Sequence, residues 1–261
     1  MDRPFELRWR ALIAGLAGVL GSALLLQEVD GTYAVLIPIA GLVLAGGAAH
    51  ANHLGAQLFA RAAWWSNLLL GLFITLVGSQ SERAEGVTLA LGCGVALLVA
   101  DRKALVEAAA RGGYSPIAYR GTLQVVMVLA LADMQTLLLF GSLAVADGTK
   151  GAGLVLLGAA AAMTVGFVGL YRLRFWGVLV TTATALVLAV AILARVVRLD
   201  DDIVPALLVL AALQLAAPAP MAISLLRRRP LRGLSIRGAS LAASVVVAVV
   251  MGVAVIAGAT R

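Results

Sequence analysis

Charge is what this sequence has least of. Only 13% of its 261 residues are Asp, Glu, Lys or Arg, against 62% apolar, and the mean hydropathy is +1.03. A soluble domain carries about 25% charged residues, so a water-facing globule is excluded. Cysteine occurs once, as Cys93 inside an apolar run. That excludes an intrachain disulfide and a multi-cysteine metal site, and leaves a buried packing role. The only histidines, His50 and His53, stand in a His-Ala-Asn-His string. Zinc takes three or four ligands and no third is spaced to join them, so they read as interfacial polar residues and no cofactor is expected. Also missing are a phosphate-cradling Gly-Lys-Ser/Thr loop, a His-Glu-x-x-His helix, a Gly-x-Ser-x-Gly elbow and paired acidic motifs for a diphosphate–magnesium substrate. With polar groups this sparse, an enzyme is the least expected class.

What the chain does have is long apolar blocks between short charged knots. A helix crosses a hydrocarbon core of about 30 Å with roughly 20 apolar residues, and only helices or closed barrels satisfy their backbone there. Nine segments fit a helix: Ala11–Leu26, Tyr33–Ala49, Ala63–Ser79, Gly86–Ala100, Gly121–Ala146, Gly151–Tyr171, Phe175–Val197, Ile203–Leu226 and Ile236–Ala259. The expected fold is therefore an all-α polytopic bundle of about nine spans, 1–261 forming one integral membrane domain. The third and fourth segments are short, and one of them is a candidate re-entrant or interfacial piece. The first follows Arg3, Arg8 and Arg10 but lacks a small-x-small cleavage site, so it reads as a retained span.

Alternating the spans puts fifteen basic residues on the N-terminal side and five on the other. That bias places the N-terminus in the cytoplasm. The net charge of +7 is thus an orientation signal, and nucleic-acid binding is not expected. Eighteen arginines beside two lysines, with abundant Ala, Gly, Leu and Val, fit a GC-rich bacterium and its inner membrane.

Between Asp101 and Arg120 the chain reads as a helical extension of the fourth span, ended by Gly112-Gly113 and restarted at Ser115-Pro116. It would join two halves, 1–111 and 112–232, with an extra helix at 233–261. Asp30-Gly31-Thr32 in the first half matches Asp147-Gly148-Thr149 in the second, and Arg61-x-x-Trp64-Trp65 matches Arg172-x-x-Phe175-Trp176 as a lead into the next span. These pairs suggest a parallel tandem repeat of four spans, although turns and interfaces favour the same residues anyway. Small residues four apart (Gly41/Ala45/Ala49, Gly158/Ala162/Gly166, Ala248/Gly252) predict close helix packing or self-association.

Asp133 is the sharpest functional lead, an acid near the midpoint of Gly121–Ala146. An ionisable group inside a span is costly and usually faces a bundle interior. Hydrocarbon disfavours its charged form, so it is a candidate proton or cation site. Gln124, Gln135 and Ser142 share one stripe of the same segment, and Thr136 lies on the Asp133 side. On the eighth span, Gln214-Leu-Ala-Ala-Pro218-Ala-Pro220 places an amide beside two residues that cannot donate to the carbonyls of Gln214 and Ala216. Broken helices beside a midplane carboxylate are how many transporters hold ions. Asp200-Asp201-Asp202 reads as a helix cap. Arg227, Arg228, Arg229 and Arg232 read as topology signals that also contact lipid headgroups.

Two functions fit. An accessory membrane subunit, packed against lipid or against a homo- or hetero-oligomeric partner, suits the scarcity of interior polar groups. A small secondary transporter, proton-coupled through Asp133, suits the carboxyl, the proline break and the repeat. The sequence leans narrowly to the accessory subunit.

Overall fold

The computed structural model describes residues 6–22, 36–77, 79–111, 120–146, 148–194 and 204–219. These form α1 (Trp9–Ser22), α2 (Leu36–Ala48), α3 (Leu54–Val77), α4 (Gln80–Val99), α5 (Arg102–Arg111), α6 (Arg120–Ala146), α7 (Lys150–Tyr171), α8 (Phe175–Leu193) and α9 (Val204–Ala216). No strand occurs among the described residues. The ninth expected span, Pro220, the Asp200–Asp202 triplet and Arg227, Arg228, Arg229 and Arg232 lie outside the described residues.

Four helices are long and apolar enough to cross a membrane: Leu54–Leu76, Thr122–Ala146, Lys150–Tyr171 and Phe175–Leu193. A fifth candidate is the pair α4–α5, bent by 59° at its break. α1, α2 and α9 are shorter apolar helices over their described residues. Large apolar side chains face outward along several helices, including Leu91, Leu98, Leu154, Val187 and Leu193. Water would penalise that surface. The chain has the helices and the outer surface of a membrane protein.

Two sequence expectations are corrected here. The third span is not short: α3 begins at Leu54, so Arg61 and Trp64 lie inside a helix rather than leading into one. Hydropathy takes an arginine for a boundary, but Arg61 is buried and its Nη2 donates to the Asp101 carbonyl at 3.1 Å. A cation is well placed where helix α4 runs out of donors. The second correction follows from the same corner. α5 does not extend α4; the Asp101 side chain accepts from the Lys103 N–H (2.9 Å) and starts a new helix.

The helices pack as two rings. α1 touches α2 and α4, and α3 touches both of the same helices; α6 touches α7 and α9, and α8 touches both of those. α3 joins the rings through α6 and α7, and α5 lies against α3. Backbones approach closely in these seams. A Cβ at Gly15 would come 3.0 Å from the Cα of Gly46, and one at Gly21 3.0 Å from that of Gly92. In lipid such contact replaces the hydrophobic effect as the source of helix association. The expected stripe at 158–166 divides: Gly166 packs on Thr181, whereas Gly158 meets open space.

Candidate functional site

The interior of the second ring holds the strongest candidates. On α6, Asp133 lies on one stripe with Val126, Leu129, Ala130 and Leu137. Val126 and Ala130 share a cluster with Leu170 and Val178, Leu129 packs with Leu213, and Leu137 packs with Met163, Ala185 and Leu207. Those neighbours belong to α7, α8 and α9, and the cluster of Val126 and Ala130 also holds Leu58, Ala62 and Leu69 of α3 and Leu105 of α5. Helical spacing therefore places Asp133 on a face of α6 buried by the second ring and by α3. It is only 5% exposed, and its Oδ2 has no hydrogen-bond partner among the described residues.

Gln214 answers it from α9. Its stripe is Leu207, Leu210, Ala211 and Pro218, each of them buried. Gln214 itself is 0% exposed, and neither its Nε2 nor its Oε1 finds a partner. α9 ends at Ala216, and Pro218 occupies the turn that follows, with no N–H to give the Gln214 carbonyl. The proline break expected from the sequence is thus present beside the amide.

Thr181 adds an oxygen from α8. It is fully buried, and its Oγ1 donates within its own helix to the carbonyls of Gly177 (3.0 Å) and Val178 (3.1 Å). Gly166 of α7 packs on Thr181, and the nearby Thr164 hydroxyl, which donates to the Ala160 carbonyl at 2.9 Å, lies 3.3 Å from the Met134 sulfur. A carboxyl on α6, an amide and a freed carbonyl on α9 and a hydroxyl oxygen on α8 are oxygen groups of the kind that suit a proton or a hard cation.

The remaining sequence candidates go elsewhere. Gln135 projects from the other side of α6, its Nε2 3.7 Å from where a Cβ of Gly41 would sit, which turns it toward α2 and the first ring. Ser142 bonds back to the Leu138 carbonyl at 2.6 Å. The two histidines separate as well: His50 is buried with its Nδ1 3.0 Å from the Arg8 N–H, whereas His53 is exposed beside Tyr171. Among the described residues no group of three His, Cys, Asp or Glu side chains converges.

Several buried or half-buried polar residues had no clear mark in the sequence. Gln57 donates to the carbonyls of Ala49 (2.7 Å) and Ala51 (2.9 Å), closing the loop before α3. The Asn52 oxygen accepts from both Arg8 (2.6 Å) and Arg111 (3.0 Å). Asn67 is fully buried with its Oδ1 unpartnered. Gln57 and Asn67 lie in segments whose neighbours are apolar or small, so their burial is visible only in the folded chain.

Comparison with known proteins adds no relative: no family model matches the chain, and neither a curated protein nor a solved structure matches it.

Proposed function

We propose that the chain is a small, non-catalytic permease of the bacterial inner membrane that passes a proton or small cation through its second four-helix ring. One observation carries this reading: Asp133 of α6 and Gln214 of α9, on helices that touch, are both buried and both leave polar atoms without partners. Unpartnered polar groups in such a place cost stability and persist where function uses them. The sequence leaned to an accessory subunit because interior polar groups looked too few. Thr181 and the freed Gln214 carbonyl weaken that objection.

A proteoliposome assay tests it. Under an inside-negative potential, the wild type should acidify a dye-loaded lumen well above protein-free vesicles, and Asp133→Asn should return the rate to background. General removal of an essential proton-carrying group costs at least about a hundredfold. If the wild type matches empty vesicles for protons, sodium and potassium under both polarities, the permease reading fails.

The accessory reading would then stand, and one feature favours it. A shallow apolar groove of about 330 Å³ runs between α7 and α8, lined by Val155, Ala159, Ala162, Thr184, Val187 and Ala191. Its small residues would admit a partner helix, which native mass spectrometry of gently extracted protein would detect as a stoichiometric subunit.

A further inference from the structure

Where α3, α7 and α8 meet, a recess of about 540 Å³ is lined by His53, Tyr171, Arg172, Arg174 and Trp176. Backbone geometry sets its shape. Gly55 packs so closely on the Tyr171 carbonyl that a Cβ there would overlap it, which presses the start of α3 against the end of α7. α7 closes with two turn bonds, Arg174 N–H to the Gly169 carbonyl (2.8 Å) and Leu173 N–H to that of Leu170 (2.9 Å). Such a helix end places its linking residue in the left-handed region, a position usually given to glycine. Here it is Leu173, with φ of 57°, the one non-glycine residue of positive φ among the described residues. Its side chain packs against the core cluster that includes Leu54, Leu170 and Val178. The turn is strained and pinned, and strain of this kind gathers at functional places.

The pinned turn presents Arg172 and Arg174 together. Both are exposed, and neither guanidinium has a carboxylate or hydrogen-bond partner among the described residues. The His53 Nδ1 accepts from the Gly55 N–H at 3.1 Å, so in the neutral ring the proton sits on Nε2, a further donor. Its ring centroid is 5.9 Å from that of Tyr171, whose hydroxyl is another. The lining therefore contains two unpaired cations, the His53, Tyr171 and Trp176 donors, and no carboxylate. Planar guanidiniums match phosphate oxygens in pairs. Exposed Phe175 and Trp176 beside them are the residues of a membrane–water interface.

We propose that this recess binds a phosphate ester, presented by an anionic lipid headgroup or free in solution. The site is separate from Asp133 and does not depend on the permease reading. Native mass spectrometry of the full chain tests it, in phosphatidylcholine bicelles doped with phosphatidylglycerol or supplied with glycerol phosphate. Wild-type protein should retain one phosphatidylglycerol in preference to phosphatidylcholine. The Arg172→Gln/Arg174→Gln variant should lose about thirtyfold in affinity, roughly fivefold per arginine. Arg10→Gln/Lys103→Gln removes the same charge outside the recess and should retain the lipid as wild type does. Retention of glycerol phosphate but not of phosphatidylglycerol, lost in the same arginine variant, would support the site with a soluble occupant. Equal retention of phosphatidylglycerol and phosphatidylcholine by the wild type, without glycerol phosphate, would overturn it. So would equal losses in the two double variants.

Discussion

At the scale of single residues, Gln214 tests whether the second ring trades stability for a site. An amide buried without partners costs about 1–3 kcal/mol by comparison with a bonded or apolar equivalent, and both polar atoms of this side chain lack partners. Gln214→Leu, of similar volume, should therefore raise the unfolding midpoint by the equivalent of about 1–2 kcal/mol while lowering any flux through the ring. Thermal unfolding in detergent reads the first effect. A variant less stable than the wild type would show that the amide is already satisfied and the site is not built as described. Asp133 was legible in the sequence because an acid deep in an apolar run has few structural excuses. Arg61 was not, and the reason is physical. A sequence shows the cost of burying a guanidinium, but the Asp101 carbonyl that receives it lies 40 residues away.

At the scale of elements, the end of α7 makes the clearest prediction. Leu173 holds a left-handed conformation that costs an L residue about 1–2 kcal/mol, and it anchors the turn by packing on the core. Leu173→Gly removes the strain along with the anchor, so the two effects offset to within about 1 kcal/mol. Leu173→Ala keeps the strain and loses the anchor, so it should be the less stable of the two by about 1 kcal/mol. Comparing the two unfolding midpoints decides it, and an alanine variant equal to the glycine variant would remove the strain from the account. This turn was only half legible. The Tyr171-to-Trp176 stretch reads as an interfacial break, but a leucine where helix ends prefer glycine gives no sign of a left-handed residue. The α4–α5 corner shows the same limit from the other side. Helical charge pairs such as Glu107 and Arg111, 4.0 Å apart, do form in α5, but they cannot reveal a 59° bend at the residues just before them.

At the scale of the whole molecule, the two rings repeat one order of contacts: each helix touches its sequence neighbours, and the fourth closes on the first. This is the arrangement a tandem duplication would leave; of the residue pairs that first suggested one, Asp30-Gly31-Thr32 and Asp147 lie outside the described residues, and the other pair differs in setting. Trp64 is buried within α3, whereas its counterpart Phe175 is exposed at the start of α8. Consecutive helices joined by short turns also favour such rings, so order alone does not establish descent from one unit. Orientation is more directly testable, because the chain carries only two lysines, Lys103 and Lys150, and α6 runs between them. Both are exposed, and the lone cysteine, Cys93, is buried and should stay silent to a membrane-impermeant maleimide. If the arginine excess marks the cytoplasmic side, Lys150→Cys should label in intact cells and Lys103→Cys only after permeabilisation. The reverse pattern would invert the protein. Labelling of both from outside would mean that α6 does not cross, and Asp133 would then lose the hydrocarbon setting that makes its carboxyl worth pursuing.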